Sequence, residues 1–215
     1  MTSNGGELFV VLRSLLIAGI WWLPLAISPL LILCIDLIGE MWPLMALTND
    51  PPQHNIMKEK PRNIHDHIIN QHTIFDLIGA WFVMGTLSYL SFIVKLWFDG
   101  MIMVSLDADS DYYATAKTLT YVTILMIQYV NILWRRPGYQ SIFTSYLFTN
   151  RILRISFALS WMFILLIVYQ PYINQLVWSW PLWRSDWLIA IIAAFIYGAY
   201  REGIKYYYRT KGYHA

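Results

Sequence analysis

Charge is what this chain has least of. Asp, Glu, Lys and Arg make up 13% of the 215 residues, against a hydrophobic share of 58%. An ordinary soluble domain carries roughly 25% charged residues, so this chain lacks the charge to cover a water-exposed globule. Cysteine is nearly absent. The single Cys34 excludes an internal disulfide framework and any multi-cysteine metal site. The opening residues MTSNGGELFVV contain no cationic region, so no signal peptide is expected. There is no internal repeat, no low-complexity tract and no polar stretch long enough to be a separate soluble domain. The net charge of +2 says little by itself, and no nucleic-acid partner is expected.

What is present is apolar and aromatic. Mean hydropathy is +0.47, and the 11 Trp and 15 Tyr suit the aromatic belts of membrane interfaces. A helix needs about 20 apolar residues to cross a bilayer core of about 30 Å. Six stretches approach this, at roughly 8–23, 29–48, 73–97, 113–134, 152–173 and 186–206. Pro24 and Pro29 between the first two predict a tight hairpin. Basic residues collect in alternate connections: Lys58, Lys60 and Arg62 in one, Arg135, Arg136 and Arg151 in another, Arg209 and Lys211 in the tail. The link 98–112 has no Lys or Arg but carries Asp99, Asp107, Asp109 and Asp111. Basic loops stay cytoplasmic. The expected fold is therefore all-α: a polytopic membrane helix bundle of six transmembrane helices over a single domain, 1–215, with both termini cytoplasmic. The protein is expected to sit in the plasma membrane or an internal membrane, with the lipid bilayer as its first partner.

Against this apolar background, "CIDLIGEMWP" at 34–43 stands out. Asp36 and Glu40 share a helix face at i, i+4. An ionised carboxylate in the bilayer centre costs a few kcal/mol or more, and such groups are paired, protonated or functional. Oxygen ligands suit hard cations. Gly39 loosens the helix and Pro43 removes one backbone hydrogen bond, which frees carbonyls of the kind that broken transporter helices offer to ions. The bland alternative is a solvated pair near a helix end, or one tied to Arg13. Arg13 itself either snorkels or pairs with Asp36 or Glu40 as a built-in cation.

Other polar residues read less sharply. Glu7, following Ser3 and Asn4, is by itself an ordinary polar helix start. Asn131, with Gln128 one turn before it, reads as an interhelical hydrogen bond. His65, His67 and His72 in "IHDHIINQH" raise a membrane di-iron oxidoreductase, but the spacing differs from the usual histidine sets, and a solvated loop is the plainer reading.

The run "LLILCIDLIGEMWPLMAL", followed by "IMKEKPRN", resembles the sixth transmembrane helix and next loop of type II P-type cation pumps, closest to the sodium/potassium pump subfamily. "TSNGGE" is similar to that family's fifth helix. "IQYVNILWRRPGYQSIF" resembles the end of the eighth helix, and "PLWRSDW" and "YREGIKYYYR" the last loop and tenth helix. The six segments then correspond to helices five to ten. The resemblance implies cation ligands at Ser3, Asn4, Glu7, Asp36, Glu40 and Asn131, with Arg13 as a modulator that has no counterpart in the family. Glu40 stands where the family has Asp, and Asn131 where the sodium/potassium pumps have an acid, which weakens or removes one ion site. The transported ion is expected to be Na⁺, K⁺, H⁺ or Ca²⁺.

No cofactor is expected on this chain. It contains no DKTGT phosphorylation motif and no Gly-rich phosphate loop. ATP and Mg²⁺ belong to domains it does not include, so by itself it is not expected to hydrolyse ATP or pump. Whether it counts as an enzyme is thus left open. A polypeptide carrying those domains is one expected partner. The short acidic loop 98–112 lacks the family's SYGQ motif, which gives no support for a beta subunit. The reading is a cation-binding and translocation membrane domain: a truncated gene product, a split-pump half or a stand-alone relic. The alternative is a non-catalytic scaffold or regulatory module derived from such a pump.

Overall fold

In the computed structural model the described residues are 2–21, 24–50, 71–101, 110–136 and 150–210, and every regular element among them is helical. In chain order these are α1 (Thr2–Trp21), α2 (Pro29–Cys34), a π-helical turn (Ile35–Glu40), α3 (Met41–Leu47), α4 (Gln71–Phe98), α5 (Asp111–Arg135), α6 (Arg151–Tyr169), α7 (Pro171–Val177) and α8 (Arg184–Thr210). His65, His67 and the "IMKEKPRN" match lie outside the described residues, as do Asp107 and Asp109, while His72 falls in the first turn of α4.

Local chemistry explains the boundaries. Pro29 opens α2 at its first turn, where a missing N–H costs nothing, and the Ser28 hydroxyl accepts from the Leu31 amide at 3.3 Å. Ser110 and Asn150 cap α5 and α6 in the same way. Two boundaries differ from expectation. The first helix starts at Thr2 rather than near residue 8. The segment expected to run through 152–173 stops at Tyr169: Gln170 is extended, and Pro171 begins the short α7. The residue before a proline is pushed out of helical geometry, which is the cause.

α5 is the hub. It packs against α4, α8, α1 and the π-turn, and most of its residues are buried. A helix surrounded by protein has no need of an apolar exterior. This explains its four threonines, each of which bonds back to the carbonyl four residues earlier. Four other helical stretches are long and apolar enough to cross a membrane: Pro29–Leu47, Thr73–Phe98, Arg151–Tyr169 and Arg184–Thr210. Large apolar side chains such as Leu12, Leu33, Leu37, Phe82, Ile155 and Phe195 cover the outside, the surface a lipid solvent requires. α1 lies close along α4: a Cβ on Gly85 would meet the Phe9 Cβ at 2.5 Å and the Gly6 carbonyl oxygen at 3.0 Å.

The two ends of the bundle are tied by charge. At one end Asp50, just past α3, pairs with Arg136 at 2.6 Å. Asp76 on α4 bridges Arg135 on α5 at 3.1 Å and Arg201 on α8 at 2.6 Å. At the other end Lys95 on α4 meets Asp99 at 3.3 Å and the buried Asp186 on α8 at 3.0 Å.

Candidate functional site

The start of α1 is built for close approach. Gly5 and Gly6 lie under Trp81 and Met84 of α4, which leave no room for a Cβ. The next residue, Glu7, is thereby drawn inside and is 3% exposed. Its carboxylate accepts from Gln128 Nε2 of α5 at 3.0 Å. With the carboxyl ionised, this is a strong class of hydrogen bond.

The stretch singled out for its carboxylates is the π-helical turn, a feature frequent at functional sites. The sequence explains the local failure of α-helix. In an α-helix the Gly39 carbonyl would accept from the N–H of residue 43, and residue 43 is proline. The hydroxyl of Tyr129 on α5 donates to that carbonyl instead, at 3.0 Å. α5 comes close here because Gly39 has no side chain: a Cβ would meet Leu125 Cδ2 at 2.3 Å. Glu40 closes the turn and is 4% exposed.

A cavity of about 260 Å³ opens between these elements, and Asn4, Glu40, Asp50, Gln128, Asn131 and Arg135 are among its lining residues. The site is therefore organised on α5. Gln128 holds Glu7 on one side and faces the cavity of Glu40 on the other. The remaining expected residues fall differently. Asp36 is half-buried on the π-turn and does not line this cavity. Asn131 does line it, but its carbonyl oxygen accepts from Tyr197 OH at 2.9 Å and from Arg135 Nε at 3.3 Å. An amide oxygen has two lone pairs, so both are engaged. Arg13 lies with its guanidinium 4.7 Å from the centre of the Phe82 ring on α4, and among the described residues it pairs with neither Asp36 nor Glu40. The side chain of Ser3 lies outside the described residues. No three residues of His, Cys, Asp and Glu gather as a metal-holding group among the described residues. What the geometry offers is two buried carboxylates and an amide group.

Two contributors were missed in the sequence. Tyr129 carried a legible signal, because a glycine four residues before a proline demands an outside donor. Asp50 carried none, since its partners Arg136 and Asn150 are distant in the chain. Arg136 donates to it at 2.9 and 2.6 Å and Asn150 Nδ2 at 3.1 Å. The Arg136 hydrogen bonds, aided by Asn150, hold the Asp50 carboxyl below its ordinary value of 3.8, against the opposing effect of burial.

Comparison with known proteins shows the family of this chain. The family described as "Cation transporting ATPase, C-terminus" matches residues 24–207. A calcium-transporting ATPase of Bacillus subtilis is 26% identical over 191 residues, covering 89% of this chain and 20% of its own length. One from Plasmodium falciparum is 25% identical, covering 98% of this chain and 20% of itself. A sodium/potassium-transporting ATPase subunit alpha-B of Artemia franciscana is 24% identical, with 97% and 23% covered. The chain thus spans about a fifth of the length of these curated relatives. Both calcium and sodium/potassium names occur among them, so the similarity does not single out the sodium/potassium subfamily. With its apolar spanning helices, the chain belongs to the cation-transporting ATPase C-terminal family and is an integral-membrane region of it.

Proposed function

We propose that this region binds the transported cation of a P-type pump, with Glu7, Glu40, Gln128 and Asn4 as the ligand-bearing residues. The observation that carries the reading is the burial of two carboxylates, Glu7 at 3% and Glu40 at 4% exposure, beside one α5 glutamine in an apolar bundle. Carboxylates inside a membrane mark ion pathways, and carboxylate and amide oxygens suit Na⁺, K⁺ or Ca²⁺ and can carry protons. The family resemblance adds Ser3, Asp36 and Asn131 to the set. The engagement of the Asn131 oxygen with Arg135 and Tyr197 argues that this third position contributes least.

In this proposal the bundle crosses the membrane six times, with α1 and α5 joining the four apolar stretches as crossings. The end that gathers Arg135, Arg136 and Arg201 faces the cytoplasm, as the positive-inside rule favours. Phosphorylation and nucleotide binding, with ATP and Mg²⁺, belong to the part of the relatives' length that this chain does not span. Motion of α1 driven from there would reshape the site around Glu7. The sodium/potassium character of the "CIDLIGEMWP" stretch, and a partner polypeptide supplying the catalytic domains, are parts of the same proposal.

Binding of radioactive sodium, rubidium and calcium to the purified chain in nanodiscs tests the reading. Saturable binding of at least one ion, weakened at least tenfold by Glu40→Gln, supports it. Equal uptake by wild type and variant overturns it and favours the second reading, a scaffold or regulatory module without an ion site.

A further inference from the structure

The π-turn has an unusual supporter. Pro43 removes the N–H that an α-helix would supply to the Gly39 carbonyl. A buried carbonyl without a donor costs about as much as a lost hydrogen bond. Tyr129, 5% exposed, brings its phenol from α5 to that oxygen at 3.0 Å. The phenol is held from behind: the Tyr129 ring meets Phe157 edge-on at 5.1 Å between centroids and Trp161 at 6.0 Å, both on α6. Leu125, one turn earlier on α5, fills the space left by the missing side chain of Gly39. The residue following Gly39 is Glu40, which lines the cavity.

We infer that Tyr129 is a positioning residue: its hydroxyl stands in for the missing backbone donor of residue 43 and fixes the turn in the conformation that presents Glu40 to the cavity. α6, which contributes none of the residues named as ligands, then acts on the site through the Phe157–Trp161 clamp. The inference deepens the cation-site reading in one respect, since the affinity it sets is that of the Glu40 site. Its local consequence does not depend on that reading. With the phenol removed, the Gly39 carbonyl loses its donor and the turn frays whether or not an ion binds.

Two substitutions separate positioning from general stability. Tyr129→Phe keeps the ring in its clamp and deletes the hydroxyl, which donates to Gly39 and also meets Ser160 of α6. Pro43→Ala gives residue 43 an N–H and supplies the donor from within the helix. Amide hydrogen exchange of the whole chain in nanodiscs, without added cation, is read on peptides covering 35–47, with peptides from α6 and α8 as the internal reference. Tyr129→Phe is expected to accelerate exchange in 35–47 about fivefold, the equivalent of one neutral hydrogen bond, and to leave the reference peptides unchanged. In the Pro43→Ala background the same substitution is expected to change nothing. Uniform acceleration of all peptides, or no acceleration in 35–47, overturns the inference. So does an undiminished effect of Tyr129→Phe in the Pro43→Ala chain.

A parallel titration with sodium, potassium and calcium reads the linked affinity. A shift of about fivefold in the apparent dissociation constant on Tyr129→Phe is expected if Glu40 is a ligand. A wild-type chain that responds to none of the three ions overturns the cation reading alone. The exchange data then decide the role of Tyr129 by themselves.

Discussion

Gln128 of α5 donates to the Glu7 carboxylate of α1 at 3.0 Å, and both side chains are buried. The bond joins α1 to α5 inside an apolar bundle. Gln128→Leu removes this donor while keeping the volume. A hydrogen bond to a charged group is worth about 2 kcal/mol, so thermal unfolding should register a loss of that order. Gln128→Glu, which sets a second carboxylate against Glu7, should cost more at neutral pH and recover as the solution is acidified. Wild-type stability in the leucine variant would contradict the assignment.

Asp76 is the shared anion of two guanidiniums, Arg135 at 3.1 Å and Arg201 at 2.6 Å, and so ties α4, α5 and α8 at one end. Removing one partner of a largely buried pair leaves charge uncompensated. Asp76→Asn should destabilise by about 3 kcal/mol, measured by denaturant titration in mild detergent. The double variant Asp76→Asn with Arg201→Met should be less harmful than the sum of the singles. Strict additivity would argue against a shared network.

The Asp50–Arg136 pair makes a pH prediction with a definite sign. Its partners hold the folded-state carboxyl below the ordinary value of 3.8. Such a group adds stability that is fully present above the ordinary value and is lost as the pH falls through the lower, folded one. The melting temperature should therefore drop on acidification below 3.8, and Asp50→Asn should flatten that part of the profile. A variant profile parallel to wild type in this window would remove Asp50 from the account.

Packing of α1 on α4 depends on Gly85, where a Cβ would meet the Phe9 Cβ at 2.5 Å and the Gly6 backbone oxygen at 3.0 Å. Backbone cannot yield as a side chain can. Gly85→Ala should cost about 1–3 kcal/mol through overpacking. Gly203→Ala on α8 is the control, because nothing lies within 4 Å of the added carbon. There alanine's better helix propensity should stabilise, by up to about 1 kcal/mol. Equal effects at the two positions would contradict the packing described.

Much of this bundle was legible in composition alone, because lipid-facing helices must be apolar and their ends polar. Pro24 and Pro29 marked the hairpin, and Gly39 with Pro43 marked the irregular helix that became the π-turn. Other features were hidden for physical reasons. Pro171 ended its helix at Tyr169 because a helical run reads as continuous until its backbone geometry is considered. Asn131 reads as an interhelical hydrogen bond and makes one, but its partner Tyr197 on α8 could not be named because it lies far along the chain. The Arg135 donor, one turn away, was visible but ambiguous. Arg13 reads as a partner for a carboxylate when only charge is counted, and the fold instead lays it over Phe82. Gln128 of α5 bonds Glu7 and shares a cavity lining with Glu40, a long-range arrangement that no local pattern reports.

The most direct test of the central claim is the melting temperature of the whole chain titrated with sodium, potassium and calcium, for wild type, Glu7→Gln and Glu40→Gln. A ligand that binds only the folded state raises its stability with concentration. A cation site predicts a saturable rise for wild type with at least one of these ions, lost or greatly weakened in both variants. No rise with any of the three, or the same rise in all three proteins, would contradict it.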